Sequence, residues 1–289
     1  MPGYTLPDGL TLKNKPGLAS YEPLQAAETA YVADRLLEIR LAQCPTGKFD
    51  VVHLKAIHLH LFQDVYEWAG HTRDEPVALS DGTIATEPVL RKIDGKPFTE
   101  GRLIAEGLDR IARRLAGENY LRGLASDEFA VRAADVMVDL NTVHPFREGN
   151  GRTQRVFMEA LAHEAGHELD FSVVSRERMV QASIAGNENS DPTMMRRLFA
   201  EIGNRERVAA LSKAIGALEK HRFPWNDCYI ATVEPGHKVK VRVAGVAGDQ
   251  FMARTRTAIL IGKTSDLPQP RPEQGQEFAL MPSEWVRPE

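Results

Sequence analysis

The sequence predicts a mainly α-helical protein with a short β-hairpin in its first half and a small β-rich module at its end. Amphipathic runs with apolar residues at three- and four-residue steps fill residues 22–221. After Phe223 the runs become short and rich in β-branched residues, with turns of Gly and Pro between them. We therefore expect a helical domain over residues 1–222 and a small module over residues 223–289.

Six amphipathic runs predict the helices. The first covers residues 49–68, where Asp50 can cap the start and Gly70 suits the end. The second covers residues 104–115, the third begins after Ser126, and the fourth covers residues 152–165. Two more fall near residues 176–185 and 192–220.

Four short runs near the end predict strands, at residues 229–233, 238–243, 251–254 and 258–261. Turn residues separate them, which favours a small OB-like β-barrel used for scaffolding or docking. Residues 223–289 carry eight Lys or Arg and eight Asp or Glu, so no basic patch indicates nucleic acid as a specific partner. Residues 268–276 are rich in Pro and Gln and should be extended.

Composition narrows the class of protein. Hydrophobic residues make up 43% and charged residues 26%, with a net charge of −4, as in a soluble globular chain without general attraction to nucleic acid or membranes. Cys44 and Cys228 lack redox or metal-ligand spacing and predict reduced thiols. No apolar run approaches the roughly 18 residues of a membrane span, and the first residues lack a secretory signal pattern. We therefore expect a cytoplasmic protein with no membrane span.

The segment between the third and fourth predicted helices indicates an anion site. It reads His144-Pro-Phe-Arg-Glu-Gly-Asn-Gly-Arg-Thr-Gln-Arg155. Pro145 ends the preceding helix, while Gly149 and Gly151 allow a tight turn that aims main-chain N–H groups inward. These groups lie at the start of the next helix, where unpaired donors and the helix dipole attract an anion.

The charged side chains of this segment suit phosphate chemistry. Arg152 and Arg155 are three residues apart, so they share a helix face, and each offers a fork of donors to phosphate oxygens. Glu148 supplies a hard oxygen ligand for a Mg²⁺ ion that is also bridged by phosphates. His144 can take a proton from an attacking hydroxyl near neutral pH. A base, a metal ligand and an anion cradle thus fit within twelve residues.

The segment resembles the signature of the Fic family, H-P-F-x-[D/E]-G-N-G-R-x-x-R, with no departure at a specified position. The resemblance implies transfer of AMP from ATP to a Ser, Thr or Tyr hydroxyl of a target protein, with release of pyrophosphate. It implies that His144 is the base, that Phe146 is a buried anchor, and that Glu148 holds Mg²⁺ or Mn²⁺. It also implies a nucleotide-binding set of Gly149, Asn150, Gly151, Arg152 and Arg155, the arginines on the leaving pyrophosphate. UMP and phosphocholine transfer on the same scaffold stay open as alternatives, whereas an idle docking module would predict loss of these residues.

Residues 74–98 resemble the flap of Fic enzymes. The stretch 66–73 looks like the family's segment before the flap, and Asp81-Gly82 is a strong hairpin signal. In the family the flap pairs with an extended target segment by strand addition, which implies target contacts from Thr83, Ile84 and Ala85. The charged side chains that follow, Arg91, Lys92 and Asp94, would add a filter for target choice.

The whole chain resembles the Bartonella effector (Bep) subgroup, in which a β-rich module follows the Fic helices. That resemblance makes a host small GTPase a candidate target, and a type IV secretion system a candidate route out of the bacterial cytoplasm. Members usually continue into a secretion signal domain, and the 289 residues end before one. Many Fic proteins are silenced by a helix with the motif [S/T]xxxE[G/N]. This sequence has no full match, so we expect a separate antitoxin-like small protein as inhibitor.

One competing motif predicts a zinc protease. His163-Glu-Ala-Gly-His167 matches HExxH, in which two histidines on one unbroken helix hold zinc and the Glu activates water. Gly166 should end the helix inside the motif and move His167 off the face of His163, which makes this a minor alternative. His53, His58 and His60 share no helical face at i,i+4, so we expect them to be packing or surface residues.

Overall fold

The computed structural model describes residues 3–91 and 97–285, and eight α-helices are the main regular elements in these ranges. The helices are α1 Tyr21–Glu38, α2 Val51–Phe62, α3 Ile104–Gly117, α4 Ser126–Val143, α5 Asn150–Ala165, α6 Arg176–Glu188, α7 Thr193–Ile202 and α8 Arg205–Lys220. The strands are β1 Val77–Ala78, β2 Ile84–Ala85, β3 Tyr229–Thr232, β4 Val239–Ala247, β5 Gln250–Arg254, β6 Ala258–Lys263 and β7 Glu277–Leu280. The prediction of a mainly α fold followed by a small β module is confirmed.

The chain divides into two compact units, residues 1–123 with 136–166 and residues 124–135 with 167–289. The first unit holds α1–α3, the second half of α4, α5 and the β1–β2 hairpin. The second unit groups α6–α8 with the five remaining strands. The predicted domain boundary at 222/223 stays a prediction. Among the described residues, no helix is both long enough and apolar enough to span a membrane.

Helix α2 is the centre of the first unit, where it packs against α1 and α5. Asp50 caps it by accepting a 2.9 Å hydrogen bond from the main-chain N of His53. The predicted extension to residue 68 is wrong. The helical pattern stops because the N–H groups of Val65 and Tyr66 both donate to the carbonyl of Phe62, at 3.0 Å each, and fold the chain into turns.

The predicted single helix over residues 192–220 is two helices, α7 and α8. Asn204 interrupts the run with an extended backbone, and its side chain accepts a 3.0 Å hydrogen bond from the N–H of Arg207. It therefore acts as the N-cap of a new helix. Helix α6 starts at the predicted place, because Ser175 caps it through the N–H of Arg178.

The β module is a five-stranded sheet in the order β3-β6-β5-β4-β7. Strands β3 and β6 are parallel, and the other three pairs are antiparallel. The described pairs form a row with β3 and β7 at its edges, so closure into an OB-like barrel stays a prediction. Strand β7 lies beyond the predicted runs.

A cluster of Arg178, Glu201 and Arg207, here called the buried ion cluster, ties the helices of the second unit to β3. Glu201 is fully buried and accepts hydrogen bonds from both guanidinium groups and from the N–H and hydroxyl of Thr232. Arg178 also donates to the carbonyl of Ile230 at 3.3 Å. Burial lowers the pKa of both arginines to about 10, so they stay charged at neutral pH.

Candidate functional site

The segment 144–155 forms a tight loop and the first turns of α5 in the first unit. Helix α4 ends at Val143, and His144 adopts a left-handed backbone with φ of 46°. Pro145 cannot continue the helix, because it lacks an N–H and its ring clashes with the preceding turn. Gly149 is also left-handed, with φ of 82°, and α5 starts at the next residue. The loop thus places residues 149–151 at the N-terminus of a helix of 16 residues.

The side chain of Asn150 fixes the shape of this loop. Its Oδ1 accepts a 2.9 Å hydrogen bond from the N–H of Phe146, and its Nδ2 donates a 2.8 Å bond to the carbonyl of the same residue. Asn150 is 4% exposed, so water competes little for these bonds. The side chain of Asn150 thus closes the loop on itself, and the main-chain N–H of this residue is left for the predicted contact with nucleotide.

Gly149 is required for two separate reasons. Its left-handed φ is one that L side chains rarely adopt. A Cβ atom there would also lie 2.3 Å from two ring carbons of Phe62 on α2. Gly151 differs, because a Cβ would meet only the guanidinium of Arg155, at 3.8 Å. The fold itself does not demand glycine at position 151.

His58 on α2 supports the loop from below. Its Nε2 lies 3.1 Å from the carbonyl oxygen of Glu148, and its Nδ1 accepts a 2.8 Å hydrogen bond from the N–H of Gly70. The ring stacks on Phe146 with centroids 3.9 Å apart. Since Nδ1 is an acceptor, Nε2 carries the proton and donates to Glu148, so the ring is neutral. Burial lowers the pKa of His58 to about 3.

Arg152 lies between two carboxylates. Its NH2 donates to Oε1 of Glu28 on α1 at 2.6 Å and to Oε1 of Glu148 at 3.2 Å. Its guanidinium also covers the ring of Phe62 at 4.8 Å. Glu28 is 4% exposed and accepts a second hydrogen bond from the hydroxyl of Tyr66. Burial and the nearby Glu28 carboxylate raise the pKa of Tyr66 far above its usual value. Helix α1 therefore fixes the first arginine of the segment.

Arg155 extends along the first turn of α5. Its Nε donates a 3.1 Å hydrogen bond to the carbonyl of Gly151, one turn earlier in the helix. Burial, and next the positive charge of Arg152, lower the pKa of Arg155. The second arginine therefore lies in surroundings where a negative charge would be favourable.

His144 stands at the other end of the loop, half-buried. Its ring stacks on Phe98 with centroids 3.8 Å apart and an interplanar angle of 11°. Its main-chain carbonyl accepts a 2.9 Å hydrogen bond from Nε of Arg73, so both the ring and the backbone have fixed neighbours. Glu148 is more open, with 39% of its side chain exposed.

The predicted hairpin is present in the same unit as the loop. Strands β1 and β2 pair antiparallel, and Gly82 at the tip has φ of 81°. Ile84 is 58% exposed, whereas the side chain of Ala85 is fully buried. The hydroxyl of Thr83 accepts a 2.6 Å hydrogen bond from Lys13.

The charged positions after the hairpin are described only in part. Arg91 is exposed and forms an isolated antiparallel bridge with Pro97. The other two predicted contacts, Lys92 and Asp94, lie outside the described residues.

The competing zinc motif lacks the helix it needs. Helix α5 ends at Ala165, and Gly166 takes a left-handed backbone with φ of 84°. Glu164 pairs with Arg122, and the Nε2 of His167 lies 3.0 Å from the carbonyl of Leu124. Within residues 3–91 and 97–285, no group of three or more His, Cys, Asp or Glu could hold a metal ion.

Two residues of the site escaped the sequence analysis, and both act over long range. His58 bonds to Glu148, 90 positions away, although its spacing indicated only a packing or surface residue. Glu28 bonds to Arg152, 124 positions away. The local signal for Glu28 was a charge at a position that an amphipathic α1 buries, which one sequence does not separate from a surface charge.

Comparison with known proteins gives consistent matches. A model of the Fic/DOC family matches residues 48–162. A protein adenylyltransferase of Bartonella henselae is 36% identical over 272 residues, which cover 94% of this chain and 49% of that protein. The chain thus spans about half the length of the curated relatives that it matches first.

Solved structures agree with the sequence matches. The type IV secretion system effector protein BepA superposes with a TM-score of 0.91 at 33% identity, covering 98% of this chain and 97% of that chain. BepC of Bartonella tribocorum, solved with bound AMPPNP, gives a TM-score of 0.66 at 39% identity, covering 69% of this chain and 95% of that chain. The matches in sequence and fold, together with the loop described above, lead to one conclusion: the chain belongs to the Fic/DOC family.

Proposed function

We propose that this protein is a protein adenylyltransferase, which transfers AMP from ATP to a Ser, Thr or Tyr hydroxyl of a target protein. The observation that carries the proposal is the loop of residues 144–155, which joins a half-buried imidazole, a helix N-terminus and two arginines in one rigid segment. Relatives named protein adenylyltransferase and a relative with bound AMPPNP support the same donor. They favour AMP over UMP or phosphocholine.

His144 would act as the general base. The target hydroxyl oxygen attacks the α-phosphorus of ATP, its proton passes to the imidazole, and the bond from that phosphorus to the bridging oxygen breaks. Pyrophosphate leaves with the electron pair. The ring has a fixed plane against Phe98, and its carbonyl is fixed by Arg73, which suits a base that must meet one oxygen atom.

The N-terminus of α5 would bind the phosphates. The main-chain N–H groups of Asn150 and Gly151 lie in the first turn, where donors have no partner inside the helix. The N–H of Gly149, the N-cap residue, donates to Oε1 of Glu148 at 2.8 Å and would have to turn from that carboxylate to a phosphate oxygen. The space beside Gly151 is open, so a ligand oxygen can approach where a side chain would otherwise stand. Arg152 and Arg155 would bind the leaving pyrophosphate.

Glu148 would hold Mg²⁺, or Mn²⁺ in its place. One carboxylate oxygen accepts from Gly149 and Arg152, and the second accepts no hydrogen bond from any residue in the described part of the chain. The group is part-exposed and offers the hard oxygen that Mg²⁺ prefers when phosphates supply other ligands. The cation would neutralise charge on the phosphates.

Target choice would come from the flap. The main-chain edge of the β1–β2 hairpin can pair with an extended target segment, with Thr83 and Ile84 outward. Arg91, Lys92 and Asp94 would then select among targets by charge, and a host small GTPase is our candidate class. Reversing these three charges should change which proteins are labelled and leave ATP hydrolysis similar.

Two partners and a location complete the proposal. A separate antitoxin-like small protein would be the inhibitor, because the sequence lacks the inhibitory motif and Arg155 bonds to its own helix. The likeness to secreted Bartonella effectors supports translocation from the bacterial cytoplasm into a host cell by a type IV secretion system. The balanced charge of residues 223–289 supports the absence of a specific nucleic-acid partner.

The decisive experiment is intact-mass analysis of candidate targets incubated with the protein, ATP and Mg²⁺. We expect a gain of one AMP per target with the wild-type chain. His144→Ala should lower the rate of this transfer by about 10²–10⁴-fold, while AMPPNP binding persists. Glu148→Ala should remove activity, and zinc removal should not. Full transfer by His144→Ala would exclude this mechanism, and zinc-dependent peptide cleavage that requires Glu164 would restore the protease alternative.

A further inference from the structure

Arg73 is buried between the loop of residues 144–155 and the root of the flap. The flap root is defined here as Glu87, Pro88 and Thr99. Its side chain is completely inaccessible to solvent. Its Nε donates to the carbonyl of His144 at 2.9 Å, and its NH1 donates to the carbonyls of Pro88 at 2.8 Å and Glu87 at 3.2 Å. Its NH2 donates to the carbonyl of Thr99. One guanidinium therefore donates hydrogen bonds both to the carbonyl of His144 in the loop and to three carbonyls of the flap root.

Two further links join the same parts of the molecule. The main-chain N–H of Arg73 donates to the carbonyl of Pro145 at 2.8 Å, and its carbonyl accepts from the N–H of Glu87 at 2.7 Å. Arg147, at the free position of the signature, forms an ion pair with the Glu87 carboxylate at 2.5 Å. The flap root and the loop are thus tied by side chains and by backbone.

Burying the guanidinium of Arg73 has a large desolvation cost, which its hydrogen bonds must offset. A buried guanidinium is strongly disfavoured without partners, and burial lowers the pKa of Arg73. Carbonyl oxygens are neutral partners, so they satisfy donors without offering a full counter-charge. The planar fork of five N–H donors can bond to several carbonyls at once, which a single ammonium cannot do.

We propose that Arg73 is a positioning residue that sets the distance between the flap root and His144. A target segment paired with the flap then presents its hydroxyl within reach of the imidazole. This inference rests on the proposed function. It adds that the rate of AMP transfer to the target depends on a residue that touches neither nucleotide nor target.

The test uses Arg73→Lys and Arg73→Met in the full chain, with Arg178→Met as the matched control. Arg178 is another buried arginine, 3% exposed, in the second unit and outside the candidate site. Misplacing a reacting group by about 1 Å costs on the order of 10²-fold in rate. We expect both Arg73 variants to lose about that factor in kcat for target labelling, with the Kd for AMPPNP unchanged. ATP hydrolysis, in which water needs no flap, should fall far less.

Amide hydrogen exchange supplies a readout that needs no activity. Exchange should rise at both residues 86–91 and residues 143–147 in Arg73→Lys, and at neither in Arg178→Met. Glu87→Gln, which weakens the second link, should shift transfer in the same direction if Arg73→Met does not fold.

The outcomes separate the two proposals. No AMP on any protein with the wild-type chain would defeat the proposed function, while exchange would still test the link made by Arg73. An active wild-type chain would overturn the inference if the Arg73 variants lost transfer and hydrolysis equally. The inference would also be overturned if the Arg73 variants lost AMP transfer only in proportion to the fraction of each variant that is unfolded.

Discussion

Lowering the pH from 8 to 5 should destabilise the first unit by about 2 kcal/mol through one buried imidazole, that of His58. Its pKa is about 3 in the folded chain, against 6.5 for an exposed histidine. The unfolded chain therefore binds more protons between these two values. The stabilisation is complete above pH 6.5 and is lost as the pH falls toward 3, at about 1.4 kcal/mol per pH unit.

The structural cause is the hydrogen-bond pattern of the ring. Nε2 donates to Glu148, and Nδ1 accepts from Gly70. A second proton on Nδ1 would face the N–H of Gly70, break that bond and leave a charge among aromatic rings. The nearby positive charge of Arg152 opposes protonation further.

Urea unfolding followed by the fluorescence of Trp68 checks this, in a background of Trp225→Phe and Trp285→Phe. Trp68 is buried in the same unit, with its ring 6.0 Å from that of His58. His58→Gln keeps a donor and an acceptor and does not titrate. As the pH is lowered from 7 to 5, the free energy of unfolding should decrease more steeply in the parent than in this variant. Equal slopes between pH 7 and 5 would refute the assignment.

Three substitutions test the site, and one deletion tests the β module. Gly149→Ala should lower the free energy of unfolding by about 2 kcal/mol or more, from its φ and its ring contact, whereas Gly151→Ala should leave it unchanged and weaken AMPPNP binding by about tenfold or more. Equal stability losses in the two would contradict this. Glu28→Gln should cost about 2 kcal/mol in urea unfolding, because Arg152 loses a charged partner, and a change below about 0.5 kcal/mol would show that the pair is dispensable. Deleting residues 223–289 removes β3 from the buried ion cluster, so circular dichroism should show lost helix as well as lost sheet. Full retention of helix would mean that the cluster does not need the strand.

Features set by neighbouring residues were predictable. Gly149, Pro145 and the arginines indicated a loop followed by a helix N-terminus, because backbone freedom and helix termination depend on residue type. The cap at Asp50 was also predictable, since it acts over three residues. The break at Asn204 was missed because the apolar pattern runs through it and hides the cap.

Features set by distant residues were not predictable from one sequence. The bonds of His58 and Glu28 depend on which helices pack together, and period alone does not give that. Strand β7 follows a stretch rich in Pro and Gln, and its four residues pair with β4, which lies earlier in the chain. The parallel pairing of β3 with β6 likewise depends on the tertiary path of the chain.

The bonds between Asn150 and Phe146 bear on the kinetics of ligand capture. A loop that a buried side chain already closes has little conformational entropy left to lose, so ordering it adds little to the activation barrier for association. The association rate constant for nucleotide should then depend on diffusion and ionic strength, and not on a slow isomerisation of residues 146–150. Stopped-flow traces should be single-exponential, with an observed rate that rises linearly with nucleotide concentration.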